Sequence, residues 1–188
     1  MANSFYSPEE LKHIGFKSFG TNVQISRNAQ FYGADNMTIG NHVRIDDFCI
    51  LSGGITLGSH IHISAYSALF GKFGIVMEDY TGLSPRCTLF SASDDFGGDY
   101  LISPMVPEEF TNVTGGTIIL KRFAQIGAGT VILSNVTLNE GVAVGAMSLV
   151  KHSLDEWGIY AGTPVKLMKK RNQGLLDHFL KHEGERGI

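Results

Sequence analysis

The stretch of sequence that decides the fold is residues 39–75, IGNHVRIDDFCILSGGITLGSHIHISAYSALFGKFGI. An aliphatic residue occupies every sixth position of it without interruption: Ile39, Ile45, Leu51, Leu57, Ile63, Leu69 and Ile75. A second unbroken run with the same spacing follows later in the chain: Leu120, Ile126, Ile132, Leu138, Val144 and Val150. Neither the helical period of 3.6 residues nor the strand period of two residues produces a spacing of six.

A spacing of six is the sequence signature of a parallel β-helix, in which each short strand forms one face of a prism and the chain turns a corner after it. Three faces, or about 18 residues, make one coil, and successive coils stack their inward aliphatic side chains into a column. The sequence therefore predicts an all-β solenoid that forms a single domain over residues 1–188, with coils at about 19–90 and 118–152.

The composition and net charge of the chain exclude several classes of function. A chain of 188 residues with 43% hydrophobic content suits one domain with a real core. A net charge of −3 offers no basic surface for nucleic acid or for an anionic membrane. No apolar stretch approaches the ~18 residues of a membrane helix, and the start MANSFYSPEE lacks the regions of a signal peptide. We expect a cytoplasmic protein without a nucleic-acid partner and without membrane insertion.

Three segments fall outside the repeat. The motif SPEE at residues 7–10 matches a capping box with proline at the first helical position, and it predicts a short helix over residues 8–14. The spacing disappears over residues 90–117, which predicts a protruding loop, and loops of this length in compact domains are usually functional. The motif GTP at residues 162–164 predicts a C-terminal helix over about residues 163–182.

The tandem hexapeptides, the single long loop late in the coils and the closing AGTPVKLMKKR resemble the left-handed β-helix acyltransferases, which take acyl groups from coenzyme A. The resemblance covers about residues 19–171. It implies a left-handed coil, an acyl-CoA co-substrate (acetyl-CoA by default) and a homotrimer with sites between adjacent subunits. The segment DYTGLSPRCTLFSASDDFGGDYL looks most like members that acylate sugars, including nucleotide-linked amino sugars, for lipopolysaccharide and other bacterial surface polysaccharides.

The loop departs from one pattern that the resemblance implies. In many O-acetylating relatives a loop histidine acts as general base on a sugar hydroxyl, but here no histidine lies between Leu89 and Leu120. The loop carries carboxylates instead. A hydroxyl needs a strong, well-placed base, whereas an amine with a pKa of about 8 needs only a proton acceptor or an anion that presents its free lone pair. We therefore favour N-acylation of a nucleotide-linked amino sugar, and sugar O-acetylation with a histidine base is the alternative.

The candidate residues for the acceptor come from the loop and the coils before it. Asp94 is the candidate carboxylate that binds and deprotonates the amine, although it could instead cap a turn. Ser84 could hydrogen-bond the sugar or a bound water, or it could face solvent. His60 and His62 would point the same way on one strand and are the reserve base, unless they only stack on the wall. The other acidic residues of the loop could contact the substrate, or they could simply be charges in solvent. They are Asp95, Asp99, Glu108 and Glu109.

The donor side rests on the resemblance alone. In such enzymes small residues after the coil glycines let the pantetheine arm lie along the wall, and basic residues meet the phosphates. The matching positions are Gly127, Ala128, Gly145 and Ala146 for the pantetheine, and Lys151, Lys166 and Lys169 for the phosphates. An ammonium group can bind phosphate as a point charge without strict geometry. The alternative is that these are ordinary surface lysines.

Two other classes of protein share the coil. A γ-type carbonic anhydrase needs three histidines that converge on zinc, but the positions one coil after His60 and His62 are Glu78 and Tyr80, so no metal site is expected. A non-catalytic β-helix would show a flat, regular polar array and would have no reason for the long loop. A binding-only descendant that has lost its activity is a further alternative.

Overall fold

The aliphatic residues at the six-residue spacing lie inside the molecule, and each of them is at most 4% exposed. The structure is a computed structural model that describes residues 4–185. In these residues the chain forms the α-helices α1 (Pro8–Ile14) and α2 (Leu175–Glu185) and the 3-10 helices Ala34–Asn36 and Glu108–Phe110. The strands are β1 (Ser18–Phe19), β2 (Gln24–Ile25), β3 (Gln30–Tyr32), β4 (Met37–Ile39), β5 (Val43–Ile45), β6 (Ile50–Leu57), β7 (Ile61–Ile63), β8 (Ala68–Met77), β9 (Gly82–Leu83), β10 (Thr88–Phe90), β11 (Ala92–Ser93), β12 (Thr114–Gly115), β13 (Ile118–Leu120), β14 (Gln125–Ile126), β15 (Val131–Ile132), β16 (Thr137–Leu138), β17 (Ala143–Val144), β18 (Leu149–Val150), β19 (Gly158–Gly162) and β20 (Val165–Lys170).

Successive strands lie on three faces in turn, and each strand pairs in parallel with the strand one coil later. The first face contains β1, β4, the second halves of β6 and β8, β13 and β16. The second face contains β2, β5, β7, β9, β14, β17 and β19. The third face contains β3, the first halves of β6 and β8, β10, β15 and β18. This arrangement confirms the predicted β-solenoid.

The register explains the column of aliphatic side chains. Leu51 pairs with Leu69, and Leu69 pairs with Leu89, so that residues one coil apart lie side by side. The corners between faces are named in chain order. In the coil that begins with the second half of β6, the first corner is residues 58–60, the second corner is residues 64–67, and the third corner is residues 71–74.

A long loop leaves the prism at the third corner. Residues 91–117, called the protruding loop below, begin and end as an antiparallel pair in which Ser93 faces Thr114. The chain then returns to the first face, where Ile118 pairs with Ile75 of the preceding coil. The loop is therefore inserted between two coils without interrupting their stacking.

The N-terminal helix has the predicted bounds and the predicted cap. The Ser7 hydroxyl accepts a hydrogen bond from the Glu10 backbone nitrogen at 3.3 Å, and the Glu10 carboxylate accepts one from the Ser7 nitrogen at 2.7 Å. These reciprocal bonds satisfy two backbone donors that the first helical turn leaves unpaired. The predicted helix over residues 8–14 is confirmed.

The predicted start of the C-terminal helix at Thr163 is wrong. Residues Val165–Lys170 form a strand that pairs antiparallel with Gly158–Gly162, and the helix begins only at Leu175. The GTP motif joins two strands, because the backbone groups that follow it find partners on the last coil rather than within a helix. Helix α2 then packs over the first corner, where the Tyr80 hydroxyl donates to Glu183 at 2.5 Å.

Neither of the two α-helices in the described part of the chain is long and apolar enough to cross a membrane.

Candidate active site

A groove of about 910 Å³ lies between the third face and the protruding loop. The face contributes the aromatic rings of Phe70 and Phe90, and the third corner contributes Lys72. The loop contributes two carboxylates, Asp94 and Glu108. Such a volume lies within the range of about 300–1,000 Å³ that is usual for small-molecule sites. The groove combines apolar walls with charges of both signs.

Asp94 directly follows β11 and lines this groove. Among the described residues, its carboxylate makes no hydrogen bond and no ion pair with another protein group, although the Ser93 hydroxyl donates to the Asp94 backbone carbonyl. A turn-capping role for the Asp94 side chain is therefore not seen. The carboxylate is open to bind a cation or to accept a proton from a ligand in the groove.

The adjacent Asp95 is used by the loop itself. Its carboxylate accepts hydrogen bonds of 2.8 Å from the backbone nitrogens of Gly97, Asp99 and Tyr100. These bonds, those from Gly97 and Tyr100 foremost, hold the pKa of Asp95 below its usual range. The side chains of Asp99 and Glu109 are exposed and do not line the groove. Of the acidic residues predicted from the loop, the structure thus brings only Asp94 and Glu108 into the groove.

Ser84 lies elsewhere, at the second corner, in a column of corner residues that runs along the axis of the solenoid and includes Ser64 one coil earlier. The part of it from Ser84 onward is called the second-corner column below, and its members are Ser84, Gly127, Gly145, Ala161 and Lys166. The backbone nitrogens of Ser84, Gly127 and Gly145 each donate to a carbonyl of the next coil, at 2.9, 2.7 and 2.7 Å. Strand β20 then places Lys166 beside Ala161. Four steps of one strand spacing give the column a length of about 19 Å.

The middle of the second-corner column is flat because its two glycines leave no room for a larger side chain. A Cβ atom at Gly127 would lie 2.5 Å from the Ala146 backbone nitrogen, so the stacking of the coils requires glycine there. Ala128 and Ala146 follow the two glycines and add only methyl groups. Lys166 and Lys169 are exposed on β20, whereas Lys151 follows the third-face strand β18 and lies outside the column.

A thiol lies behind this column but is not available as a nucleophile. The Cys87 thiol is fully buried and donates a hydrogen bond to the Gly127 carbonyl at 3.3 Å. Burial raises the pKa of the Cys87 thiol to about 11, so that it is protonated at neutral pH. Cys87 is therefore not a candidate nucleophile of this wall.

The histidines predicted as a reserve base do not share a cleft. His60 lies at the first corner with a φ of +60°, before strand β7 begins, and its ring stacks between His42 at 4.7 Å and Tyr80 at 4.5 Å. His62 lies on β7, and its Nε2 is 2.7 Å from an Asp46 carboxylate oxygen. The prediction that the two side chains point the same way from one strand is wrong, because the corner turns the first of them away. Neither residue lines the groove.

Ser84 and Asp94 lie at opposite ends of the third face. Strand β10 (Thr88–Phe90) crosses that face between them, and the groove that contains Asp94 does not contain Ser84. One chain therefore presents a charged groove at its third corner and a flat column at its second corner. The two do not form one cleft within the chain.

Sequence reasoning missed the residues that the wall of the solenoid contributes to the groove, namely Phe70, Phe90 and Lys72. The signal was present in the repeat, because Phe70 and Phe90 pair directly across neighbouring coils. Reading the outward positions in steps of one coil, instead of searching the loop for charged residues, would have placed both rings on one face.

No family model matches the sequence. The dTDP-4-amino-4,6-dideoxy-D-glucose acyltransferase of Escherichia coli is 43% identical over 171 residues, which cover 89% of this chain and 89% of that protein. The solved structure of AntD, an N-acyltransferase from Bacillus cereus in complex with dTDP and 3-hydroxybutyryl-CoA, has a TM-score of 0.96 and 49% identity over 100% of both chains.

Structures of AntD variants at residues 84 and 94 have also been solved, and two of them illustrate the match. Its D94N variant, in complex with dTDP and coenzyme A, has a TM-score of 0.93 and 50% identity, and the match covers 99% of this chain and 100% of that chain. Its S84A variant, in complex with dTDP-4-amino-4,6-dideoxyglucose and coenzyme A, has a TM-score of 0.93 and 49% identity over 100% of both chains.

Proposed function

The chain belongs to the left-handed β-helix N-acyltransferases that act on nucleotide-linked amino sugars, and from that membership we propose the reaction that it performs. It transfers the acyl group of an acyl-CoA to the amine of a dTDP-linked amino sugar. The observation that carries this proposal is the open Asp94 carboxylate in a groove of about 910 Å³ that no histidine lines. Such a site suits an amine acceptor and does not supply the histidine base that a hydroxyl acceptor would use.

In this reaction Asp94 binds the sugar amine and directs its lone pair at the thioester carbonyl. A C–N bond forms as the C–S bond breaks, and the nitrogen loses one proton during the exchange. The Asp94 carboxylate accepts that proton and passes it to the departing coenzyme A thiolate, whose greater basicity favours the transfer. The products are the amide and free coenzyme A, and the carboxylate is regenerated.

We assign Ser84 to the reacting end of the acyl-CoA, where its hydroxyl hydrogen-bonds the sugar or a bound water. Ser84 stands at the start of the flat second-corner column, beside the positions Gly127 and Gly145 that would receive the pantetheine arm. AntD was crystallised as D94N and S84A variants. This chain carries an aspartate and a serine at the same two numbers, which supports roles for both.

The coenzyme A phosphates are assigned to the far end of the column. Lys166 is exposed there and Lys169 lies on the same strand, so that both ammonium groups can reach an anion without a desolvation penalty. Lys151 lies on the other side of the third face, and it can meet the same ligand only from a neighbouring subunit. We extend the same argument to Asp99 and Glu109, which face solvent in the single chain.

We further propose a homotrimer with an active site between each pair of adjacent subunits. The groove with Asp94 and the second-corner column lie at opposite ends of the third face, so the acceptor amine and the thioester can meet only if the groove of one chain faces the column of another. A rotational arrangement of this kind closes into a ring.

We place the enzyme in the cytoplasm and its product in a surface polysaccharide such as lipopolysaccharide, since nucleotide-linked amino sugars are the precursors of such polymers.

A transfer assay with matched acceptors tests the reaction. The purified protein is given acetyl-CoA or 3-hydroxybutyryl-CoA together with either dTDP-4-amino-4,6-dideoxyglucose or the matched sugar with a hydroxyl at carbon 4. We expect release of the free thiol and an acylated product of the right mass with the amine, and little with the hydroxyl. Equal reaction of the two acceptors would indicate an O-acyltransferase, and no thiol release with any acceptor would indicate a binding protein.

A further inference from the structure

A row of fully buried polar side chains lies behind the second-corner column, and the proposed reaction gives it no role. Each member of this row, called the inner row below, follows a corner residue by three positions and lies inside the wall. Each donates a hydrogen bond to the backbone carbonyl of the corner residue one coil later: Ser67 to Ser84 at 3.3 Å, Cys87 to Gly127 at 3.3 Å and Thr130 to Gly145 at 3.1 Å. The inner row therefore holds the carbonyls of the column from inside.

These hydrogen bonds fix the direction of amide groups on the outer surface. A carbonyl and the N–H of the following residue belong to one planar peptide group, and in a trans peptide they point in opposite directions. The carbonyls of Gly127 and Gly145 point inward to their donors, so the backbone N–H groups of Ala128 and Ala146 point outward. Neither N–H has a hydrogen-bond partner within residues 4–185. The column thus presents two open donors to a ligand.

The sequence keeps these donors accessible and limits where they occur. A Cβ atom at Gly127 would lie 2.5 Å from the Ala146 nitrogen, so glycine leaves that N–H uncovered. The residue after Ser84 is Pro85, which has no N–H, so only the Ser84 hydroxyl can donate at that end. Outward amide donors are therefore confined to the part of the second-corner column that the proposed function gives to the pantetheine arm.

We infer that Cys87 and Thr130 are positioning residues for the acyl-CoA, because they hold from inside the wall the peptide groups whose N–H atoms hydrogen-bond the amide carbonyls of the pantetheine arm. The inference rests on the proposed function, since it takes an acyl-CoA as the donor. Neither side chain touches the ligand. A peptide group that is held at its carbonyl meets the ligand already aligned, so that less freedom is lost on binding.

The two positioning residues differ in how easily they are replaced. The Gly145 carbonyl accepts a second hydrogen bond, from the Ser148 hydroxyl at 2.8 Å, in addition to the one from Thr130. The Cys87 thiol is the only donor to the Gly127 carbonyl in the described part of the chain. Removal of the Cys87 thiol is therefore the sharper test.

The chain contains a matched control for the variant Cys87→Ala. Cys49 is also fully buried, and its thiol donates to the Ser64 carbonyl at the same distance of 3.3 Å. Ser64 lies one coil before Ser84 and so outside the second-corner column. Cys49→Ala and Cys87→Ala each remove one sulfur atom from the same kind of corner, and thermal melting should show similar losses of stability.

Titration calorimetry with coenzyme A, without an acceptor sugar, tests the inference independently of turnover. Cys87→Ala should raise the Kd for coenzyme A about fivefold, as expected for the loss of one hydrogen bond, whereas Cys49→Ala should leave it unchanged. Cys87→Ser keeps a buried donor and should restore most of the affinity. In the transfer assay Cys87→Ala should raise the KM for acetyl-CoA with little change in kcat.

A second variant provides an independent test if Cys87→Ala does not fold. Thr130→Val combined with Ser148→Ala removes both donors to the Gly145 carbonyl and should raise the same Kd by a similar factor.

An unaltered Kd for coenzyme A in these variants would overturn the inference. An equal rise in Cys49→Ala, or no recovery in Cys87→Ser, would also overturn it, because the effect would then come from packing and not from the hydrogen bond. Coenzyme A binding that depends on Cys87 but is not accompanied by acylation of any amine would instead refute the proposed reaction and leave the positioning role standing.

Discussion

Two adjacent carboxylates of the protruding loop have different environments, although they look equivalent in the sequence. Asp95 accepts three backbone hydrogen bonds and stabilises the turn that follows it. Asp94 lines the groove, and its carboxylate has no hydrogen-bond or ion-pair partner among residues 4–185. A carboxylate that the fold does not use is available for a ligand, so we assign the amine to Asp94 and a supporting role to Asp95.

Replacement of Asp94 by asparagine should lower kcat/KM by ~10²-fold or more, within the usual range for general base catalysis. The amide keeps the shape of the side chain but removes its charge and its ability to accept a proton. Binding of acyl-CoA, measured by calorimetry, should be unchanged because the second-corner column does not contain this residue. Asp35→Asn, an exposed aspartate at a 3-10 helix of the first coil, is the matched control and should keep full activity.

The assignment of Asp94 fails if Asp94→Asn is as active as the unchanged protein. If His60→Ala or His62→Ala abolishes turnover in its place, the base is a histidine and the acceptor is a hydroxyl.

At the scale of single residues, the sequence predicts an interaction well when its partners are close together in the chain. The capping box of α1 joins residues three positions apart, so the helix over residues 8–14 could be read directly. The direction of the His60 side chain depends on a left-handed corner residue, and a strand pattern does not show that. The role of Asp94 stays a prediction, since a doublet of aspartates does not reveal which one the backbone will bind.

Among the elements, the strands at the six-residue spacing were predictable because each repeats one buried position, whereas β20 was not. The motif GTP followed by lysines has the composition of a helix start, yet β20 pairs with β19. The last coil leaves an open strand edge, and backbone groups at such an edge find partners in the next segment that can reach them. This pairing has a functional result, because it extends the second-corner column by one strand and places Lys166 at its end.

Lys166→Ala should raise the KM for acyl-CoA about five- to tenfold with little change in kcat, because a contact made equally in ground and transition states affects binding alone. The effect should shrink at high salt, since exposed charges are screened. Lys170→Ala, on the same strand but paired with Gly158, is the matched control and should leave this KM unchanged. An unchanged KM in Lys166→Ala and in Lys151→Ala would mean that the donor binds elsewhere.

At the scale of the whole molecule, the separation of the groove from the second-corner column is the strongest argument for assembly. The resemblance to the left-handed β-helix acyltransferases is confirmed by the relatives, and it covers fold and reaction. The sequence implied sites between subunits only through that resemblance. The structure of a single chain adds a reason to expect sites between subunits, because the third face separates Asp94 from Ser84.

Mixed assemblies test whether each site is shared between chains. Ala146→Trp should block the second-corner column with a bulky ring, and Asp94→Asn should disable the groove, so each variant alone should have about 1% of the activity or less. A homotrimer assembled from equal amounts of the two should regain about a quarter of its sites, because one site in four combines an intact column with an intact groove. Each variant unfolded and reassembled by itself is the control.

Light scattering should give a mass near three times the 20.4 kDa chain for every one of these proteins. A monomer at micromolar concentration, or mixed assemblies without any regained activity, would place both halves of the site in one chain.

After the protruding loop the chain returns beside an earlier strand, so that Ile118 lies next to Ile75. The loop and the coils can therefore evolve separately. The protruding loop can be lengthened, shortened or exchanged between related genes at no cost to the buried column, because the coils stack as if the insertion were absent. The column glycines have no such freedom, since a side chain at Gly127 would strike the next coil. In a duplicated gene, recognition of the sugar should therefore diverge well before recognition of the acyl carrier.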